Sequence, residues 1–405
     1  MIVHAYYEED ARVRRQAEWL VAHGRPVDVL ALRRPGDPER VVIEGVAVRR
    51  LPVRRHQGAG IHVYVAEYLA FLGRSMAALT AAHRRRRYAL VEVHSLPDFL
   101  VFAALPLRLV GVPVLLDLHE AMPEFFRSRF PGAAGPVPHA LLRLQERLST
   151  GFAGAVMTVN DALADRLVAL GVPSEKVSVI LNTPRLDLFD PARCPARPFR
   201  VDGALRLVYA GALTPTYELD VVVDAVALVA SRRPDLDVRL DVFGRGDTEA
   251  RLRARVAERG LYGRVVLHGR IPLEEVPAAL AAADIGIAPT RRDRFTDVSL
   301  STKLFECAAM EKPVVASRLP TVERYFAPDA VATYAPGDAE DLAAVLVRLA
   351  DDPAERAARV ARTDALVASL GWEAEAVRYE ALVERLIAGR SRADPRGRGE
   401  GGAMR

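Results

Sequence analysis

Lysine is almost missing from this chain. Of its 56 basic residues only Lys176, Lys303 and Lys312 are lysines, so nearly all the positive charge is arginine. Where a lysine does stand, a compact, flexible ammonium suits the position better than a planar fork. Cysteine is just as scarce. Cys194 and Cys307 are too few for a disulfide framework, and their neighbours do not suggest a metal site, so a reducing cytoplasm is the expected setting. No uninterrupted apolar run reaches the length needed to span a bilayer. The start, MIVHAYYEEDARVRR, does not read as a signal peptide, because its short apolar run leads straight into acidic and basic residues. Neither a GxGxxG fingerprint nor a P-loop occurs. An Asp-x-Asp metal site at a strand end is also absent: Asp235-Leu-Asp237 precedes a strand and reads as a turn.

What is present is a chain of 405 residues, half of them hydrophobic, long enough for two domains with full cores. The net charge is +4, unevenly spread: residues 1–200 hold 27 basic and 20 acidic side chains, the remainder 29 and 32. A basic half attracts an anionic membrane surface, a phosphorylated acceptor or nucleic acid. The clusters Arg54-Arg55-His56 and His83–Arg87 carry part of this excess. The second also sits where a predicted helix ends, and cations are favourable there in any case.

Strand and helix patterns alternate along the first half. Strands are expected at 2–5, 27–32, 46–53, 88–93, 114–118, 155–159 and 177–181, with helices between them. That alternation calls for a parallel sheet covered by helices on both faces, with ligands beyond the carboxyl ends of the strands. Those ends hold Tyr6-Tyr7, His94-Ser95, His119-Glu120, Asn160 and Asn182-Thr183. Residues 184–203, rich in Pro, Arg and Asp, read as a linker. A second alternating series follows. Its first two strands run into Gly211 and Gly244, where glycine lets a phosphate or a base approach the backbone. Residues 372–388 form a last amphipathic helix, and 389–405, rich in Gly and Arg, are expected to be disordered.

The stretch Phe295–Arg318, FTDVSLSTKLFECAAMEKPVVASR, organises the second half. Ser299, Ser301 and Thr302 can cap a helix whose apolar face is Leu304, Phe305, Ala308 and Ala309. Lys303 and Glu306 lie three residues apart, on one face. A helix N-terminus with a lysine beside it suits a phosphate, and a carboxylate one turn on suits a sugar diol. A solvated surface pair is the plainer alternative for the same two residues.

Several motifs in order now resemble the family-four glycosyltransferases. They are the opening YYEEDARVRRQAEWLVAHGRPVDVL, DLHEAMPE at 117–124, VILNTPRLDLFDP at 179–191, YAGALTPTYELDVVVDA at 209–225, DVFGRGD, LHGRIPLEEVPAALAAADIGIAP and STKLFECAAMEKPVVAS. The resemblance covers about residues 1–388. It implies an α/β chain of GT-B architecture, with two Rossmann-like doubly wound parallel-sheet domains facing across a cleft. These are an acceptor-binding domain at 1–190 and a nucleotide-sugar domain at 204–370, with a helix at 371–388 crossing back. It implies a retaining transferase that moves a sugar from a nucleotide-diphosphate donor, UDP-sugar before GDP-mannose, to a hydroxyl of a glycan, lipid-linked or small-molecule acceptor. A non-catalytic sugar-nucleotide-binding protein and a nucleotide-sugar epimerase are the alternatives on this architecture.

By the same resemblance His119, Lys303 and Glu306 are the catalytic candidates. Gly211, Thr214, Gly244, Arg245, Gly269, Arg270, Ile271, Asp297, Ser301, Thr302 and Leu304 are the donor-binding candidates. Arg55, His56, His94 and Glu120 are candidates for the acceptor, and Arg54–Ile61 for an acceptor loop. No cofactor, metal or nucleic-acid partner is expected. A cytoplasmic protein with peripheral contact at the inner face of the membrane through its basic half is expected. Three departures stand out. The family signature has two glutamates with seven residues between them. Glu306 matches the second, but the first falls at Val298, so either Asp297 takes its role or the role is absent. The Arg and Lys that many members place after the first glycine turn are missing from LTPTYE at 213–218, and Lys303 is expected to supply that charge. Glu311 stands where a glycine is usual.

Overall fold

A computed structural model of the chain describes residues 1–56, 61–130 and 135–393. They form two compact units: Met1–Leu181 with the chain from Glu375, and Asn182–Ala374. The first unit stops at Leu181, ahead of the expected limit at 190. The linker at 184–203 holds no helix or strand and belongs to the second unit.

In the first unit the strands are β1 (Asp28–Leu32), β2 (Arg40–Ile43), β3 (Val46–Leu51), β4 (Val91–His94), β5 (Val114–Leu118), β6 (Ala155–Thr158) and β7 (Val177–Val179). They pair in the orders β1-β3-β2 and β4-β5-β6-β7. Every pair is parallel except β2 with β3. The two sets meet at Ile2, which bridges Leu30 on one side and Val93 on the other. The strand expected at 2–5 is therefore a bridge at one residue: the Ile2 N–H donates to Glu92 O at 2.9 Å and its carbonyl accepts from His94 N at 3.0 Å. This central position explains why Ile2 is fully buried.

The helix Ala11–Ala22 starts where the Asp10 carboxylate accepts the N–H groups of Arg12 and Val13, a regular N-cap. The final helix, Trp372–Ala393, belongs mainly to this unit. Tyr379 donates to the buried Glu92 carboxylate at 2.6 Å, and Glu375 accepts the Leu181 N–H at 2.8 Å. Residues 389–393 continue this helix, where disorder was expected, and the rest of that tail lies outside the described residues. So do residues 57–60 of the expected acceptor loop.

In the second unit β8 (Ala204–Ala210), β9 (Asp237–Phe243), β10 (Val265–Gly269), β11 (Ile285–Ala288), β12 (Val314–Ser317) and β13 (Ala332–Tyr334) form one all-parallel sheet. Its order is β10-β9-β8-β11-β12-β13. The direction of winding reverses between β8 and β11, and such a switch point opens a crevice at the carboxyl ends. The helix Thr302–Ala309 follows β11 and is seated by a small residue. A Cβ on Gly286 would lie 2.4 Å from Cys307 Sγ, so glycine in the strand lets the helix pack close. Cys307 is thus a packing residue, buried among Leu304, Phe305 and Val314.

Candidate active site

Each unit brings chemically active side chains to the carboxyl edge of its sheet. In the second unit the edge is cleared by glycines. The Gly211 N–H donates to Phe243 O at 2.8 Å, and the Gly244 N–H to Gly269 O at 2.7 Å, tying three strand ends together. A Cβ on Gly244 would lie 1.8 Å from the Gly211 carbonyl oxygen, a backbone-on-backbone approach no side chain survives. A Cβ on Gly211 would lie 2.2 Å from Lys303 Cε and 2.7 Å from Nζ. The lysine stem therefore lies directly across Gly211.

Lys303 is 8% exposed. Its ammonium sits 4.0 Å from the ring centroid of Tyr217 and 5.4 Å from that of Tyr209, within cation–π range. Burial alone would lower its pKa, but Tyr217, Tyr209 and Glu306 more than reverse this, so Lys303 stays charged. Glu306, one turn on, is half-buried, and burial pushes its carboxyl up against the pull of Lys303 and a hydrogen bond with Thr302. Ser301 occupies the N-cap but makes no capping bond, contrary to expectation; its Oγ is buried and has no partner among the described residues. The edge thus combines a helix N-terminus, a hydroxyl without a partner and a held ammonium, an arrangement suited to an anion.

The other donor candidates are placed unequally. Arg245 is exposed and lies beside Gly269, whose Cβ would come 3.7 Å from Nε. Arg270 is exposed and Ile271 half-buried, both just past β10. The Thr214 carbonyl accepts the Tyr217 N–H at 3.0 Å, shaping the turn that aims Tyr217 at Lys303. Asp297 accepts from Arg292 Nε at 3.1 Å within its own loop. Leu304 is a correction: it is fully buried in the core, so its side chain is not available to a ligand. Tyr209 and Tyr217 were missed. The turn was read for the charges it lacks, and the aromatic residue beside them was passed over.

In the first unit β4 and β5 end side by side at His94 and near His119. Asp117 joins them: its Oδ2 lies 2.9 Å from His94 Nδ1 and 2.8 Å from His119 Nε2, with Gln16 Nε2 donating to the same oxygen at 3.4 Å. Burial would raise the Asp117 pKa, but His119 and His94 hold it well below the usual range. Burial works against charge on His94, and Asp117 and Glu92 overcome it, so its pKa rises. For His119 burial wins over Asp117, with Arg12 assisting, and its pKa falls. The cluster sets Asp117 between His94, whose charged form the surroundings favour, and His119, whose neutral form they favour. Ligand atoms of His94, Asp117 and His119 fall within 4.8 Å of one another, close enough to hold a metal ion. The His94–Asp117 contact is a hydrogen bond, whereas His119 Nε2 lies at ion-pair distance from the same oxygen without hydrogen-bond alignment. Asp117 was missed, although a carboxylate inside the apolar run VLLDL is a visible signal.

Glu120 is half-buried, with its carboxyl pushed up by burial against the pull of Arg12. His56 belongs to a separate cluster. Its N–H and its Nδ1 meet Glu67 at 2.8 and 2.9 Å, and His4 Nε2 lies 3.0 Å from the other oxygen of that buried carboxylate. Arg55 reaches over the Tyr6 ring at 6.0 Å.

Two family models account for most of the chain. The glycosyl transferase 4-like domain matches residues 10–183, and glycosyl transferases group 1 matches 204–352. The D-inositol 3-phosphate glycosyltransferase of Pseudarthrobacter chlorophenolicus is 28% identical over 291 residues, 69% of this chain and 68% of the relative. The 2-deoxystreptamine glucosyltransferase of Streptomyces kanamyceticus is 27% identical over 364 residues, 85% of this chain and 89% of the relative. Among solved structures, an α,α-trehalose-phosphate synthase (UDP-forming) from Burkholderia vietnamiensis matches with a TM-score of 0.72 at 15% identity, covering 96% of this chain and 98% of that one.

Proposed function

We infer the reaction from the premise that those matches supply: the chain belongs to the family-four glycosyltransferases, has the GT-B architecture and is a hexosyltransferase. The donor is a nucleotide-diphosphate sugar held at the carboxyl edge of the second unit. A UDP-sugar is the first choice and GDP-mannose the second; the UDP-forming neighbour of like fold favours the first. The anomeric carbon–oxygen bond to the β-phosphate breaks, and a bond to the acceptor oxygen forms with retention. The acceptor proton goes to the departing phosphate, so no strong general base is needed.

Negative charge grows on that phosphate as the bond breaks. Lys303 and the N–H groups at Ser301 and Thr302 meet it already in place, which stabilises the transition state more than the ground state. Glu306 grips the ribose hydroxyls. Gly211 and Gly244 leave room for the diphosphate, and Gly269, Arg270 and Ile271 frame the base, with Arg245 at the border. His119, oriented by Asp117, contacts the transferring sugar or its diphosphate. The observation that carries this reading is the lysine stem laid across Gly211 at a helix N-terminus with an unpartnered serine.

The acceptor is a hydroxyl of a glycan, a lipid-linked sugar or a small polyol. The arginine-rich first unit favours an acceptor at an anionic surface and peripheral contact with the inner face of the membrane. The test is a thermal-shift panel of UDP, GDP, dTDP and ADP on the wild type and Glu306→Ala. Stabilisation by one nucleotide, lost in the variant, is expected, because a ligand of the native state raises its stability. No shift with any nucleotide overturns the donor site.

A further inference from the structure

The helix Pro136–Phe152 turns apolar residues outward. Val137, Leu141, Leu144 and Leu148 are 66, 61, 52 and 53% exposed, and their four- and three-residue spacing puts them in one stripe. Helices of soluble proteins turn such a stripe inward, and an outward one marks a surface that something covers. The exposed charges of the helix have one sign. Arg143 and Arg147 are exposed on the same helix. The helix has a single acidic residue, Glu146, which is buried and paired with Arg166 at 2.7 Å. Along the flank opens a 490 Å³ cavity lined by Arg143, Arg147 and Lys176 together with Leu144 and Leu170; Glu146 also lines it, with its carboxylate taken up by Arg166. Lys176 is held there by the carbonyls of Thr150 and Gly151, at 2.5 and 3.3 Å.

We propose that this helix docks the protein on an anionic bilayer, with the leucine stripe in the interface and a lipid phosphate in the arginine–lysine cavity. A helix with an apolar face and flanking arginines lies in the plane of a membrane surface, held by buried apolar area and by attraction to anionic lipid. The helix is the second of two, after Met122–Arg129, between the parallel strands β5 and β6, and it leads directly into the start of β6, so it returns the chain against the strand direction. Its first turn therefore lies toward the edge that carries His119. A docked helix would bring that edge near headgroups. The inference deepens the peripheral-contact part of the reading above and does not depend on the donor assignment.

The test is co-sedimentation of the full chain with vesicles of phosphatidylcholine alone and with about one-third phosphatidylglycerol, at low and high salt. Binding to the anionic vesicles should exceed binding to the neutral ones by about tenfold or more and fall with salt. Leu144→Ser/Leu148→Ser and Arg143→Glu/Arg147→Glu should each weaken it about tenfold or more, with unchanged melting temperatures because all four positions are exposed. Donor hydrolysis in solution should be unaffected, which separates this result from failure of the donor site. Equal binding by wild type and both variants overturns the proposal, as does no binding to anionic vesicles. A lipid-independent dimer that the leucine variant abolishes also overturns it, in favour of a second copy of the chain as the covering partner.

Discussion

The two sheet edges solve opposite problems. At the second unit's edge, side chains are removed and a buried cation is held in the space. Gly211 and Gly244 carry no Cβ, and the Lys303 ammonium rests on phenol rings. At the first unit's edge, side chains are crowded and charge is balanced internally, with Asp117 between two imidazoles and Gln16 on the same oxygen. An aromatic face offers attraction without a counter-ion, so the lysine keeps its charge and remains open to an anion. A carboxylate shared by two histidines fixes their protons and orientation and leaves little net charge to offer. The first edge is built to position, the second to bind negative charge.

The largest test of that contrast is Lys303→Ala. Removing a preorganised donor at a developing charge costs about 10²–10³ in turnover. That loss should appear mainly in kcat for donor cleavage. Near-normal turnover would sink the assignment of the leaving-group charge to Lys303. Lys303→Arg should rescue little, since the space over Gly211 fits a narrow stem and not a planar guanidinium.

The next effect is on stability. Asp117→Asn removes the buried charge between His94 and His119 and should cost about 3 kcal/mol at neutral pH, read by denaturant melts. The pH dependence gives the sign. The Asp117 pKa is depressed, so its stabilising contribution is present above the ordinary carboxylate value near 4 and is lost as pH falls below it. His94 has a raised pKa, so its share is present below about 6.5 and is lost as pH rises through the folded value. The gap between wild type and variant should therefore narrow on both sides. A gap constant from pH 3 to 9 would break the picture of a charged, shared carboxylate. His4, lowered to about 4 chiefly by burial, adds a loss of stability as pH drops from about 6.5 toward 4, which His4→Gln should remove.

A third test leaves every charge in place. Gly211→Ala puts a methyl group 2.2 Å from Lys303 Cε, so the lysine must leave its position over the tyrosines. Turnover should fall about tenfold or more, because a misplacement near 1 Å already costs up to about 10². Nucleotide affinity should fall less, since Glu306 and the helix N-terminus remain. An equal loss in both would mean that Gly211 serves binding alone.

The sequence made the second unit's frame legible because its signals are local. Glycines after strands, a Ser-Thr-Lys opening and a buried strand each announce themselves within a few residues. The tyrosine cradle of Lys303 did not, because Tyr217 lies in a turn far along the chain from the lysine it meets. Rarity of lysine was half a signal. It marked Lys303, but it marked Lys312 equally, and Lys312 is a helix cap whose Nζ donates to the carbonyls of Ala281 and Ala283 at 3.0 and 2.9 Å. In the first unit, His94 and His119 stand at or just past strand ends, whereas Asp117 lies inside β5 and its only signal is a carboxylate within an apolar run. The strand at 46–53 was expected and is β3, but its hairpin partner β2 was not, because β2 is four residues long, lacks a buried position and runs straight into the Glu44-Gly45 turn.

The smallest effect concerns the other end of the Lys303 helix. Glu311 adopts φ +53° after the helix, where its N–H donates to Ala308 O and that of Lys312 to Cys307 O, both at 3.0 Å. That pairing is a Schellman close, and it calls for the left-handed conformation that glycine takes without a Cβ penalty. The usual glycine of the family thus has a structural reason, and Glu311 bears the strain exposed to solvent. Glu311→Gly should stabilise the chain by about 0.5–1 kcal/mol, a rise of a degree or two in Tm. Donor kinetics should not change, because the proposed anion site, Ser301, Thr302 and Lys303, lies at the helix N-terminus. If relieving the strain at Glu311 alters kcat, the helix is sprung rather than simply seated on Gly286, and the positioning attributed to the first edge is shared by the second.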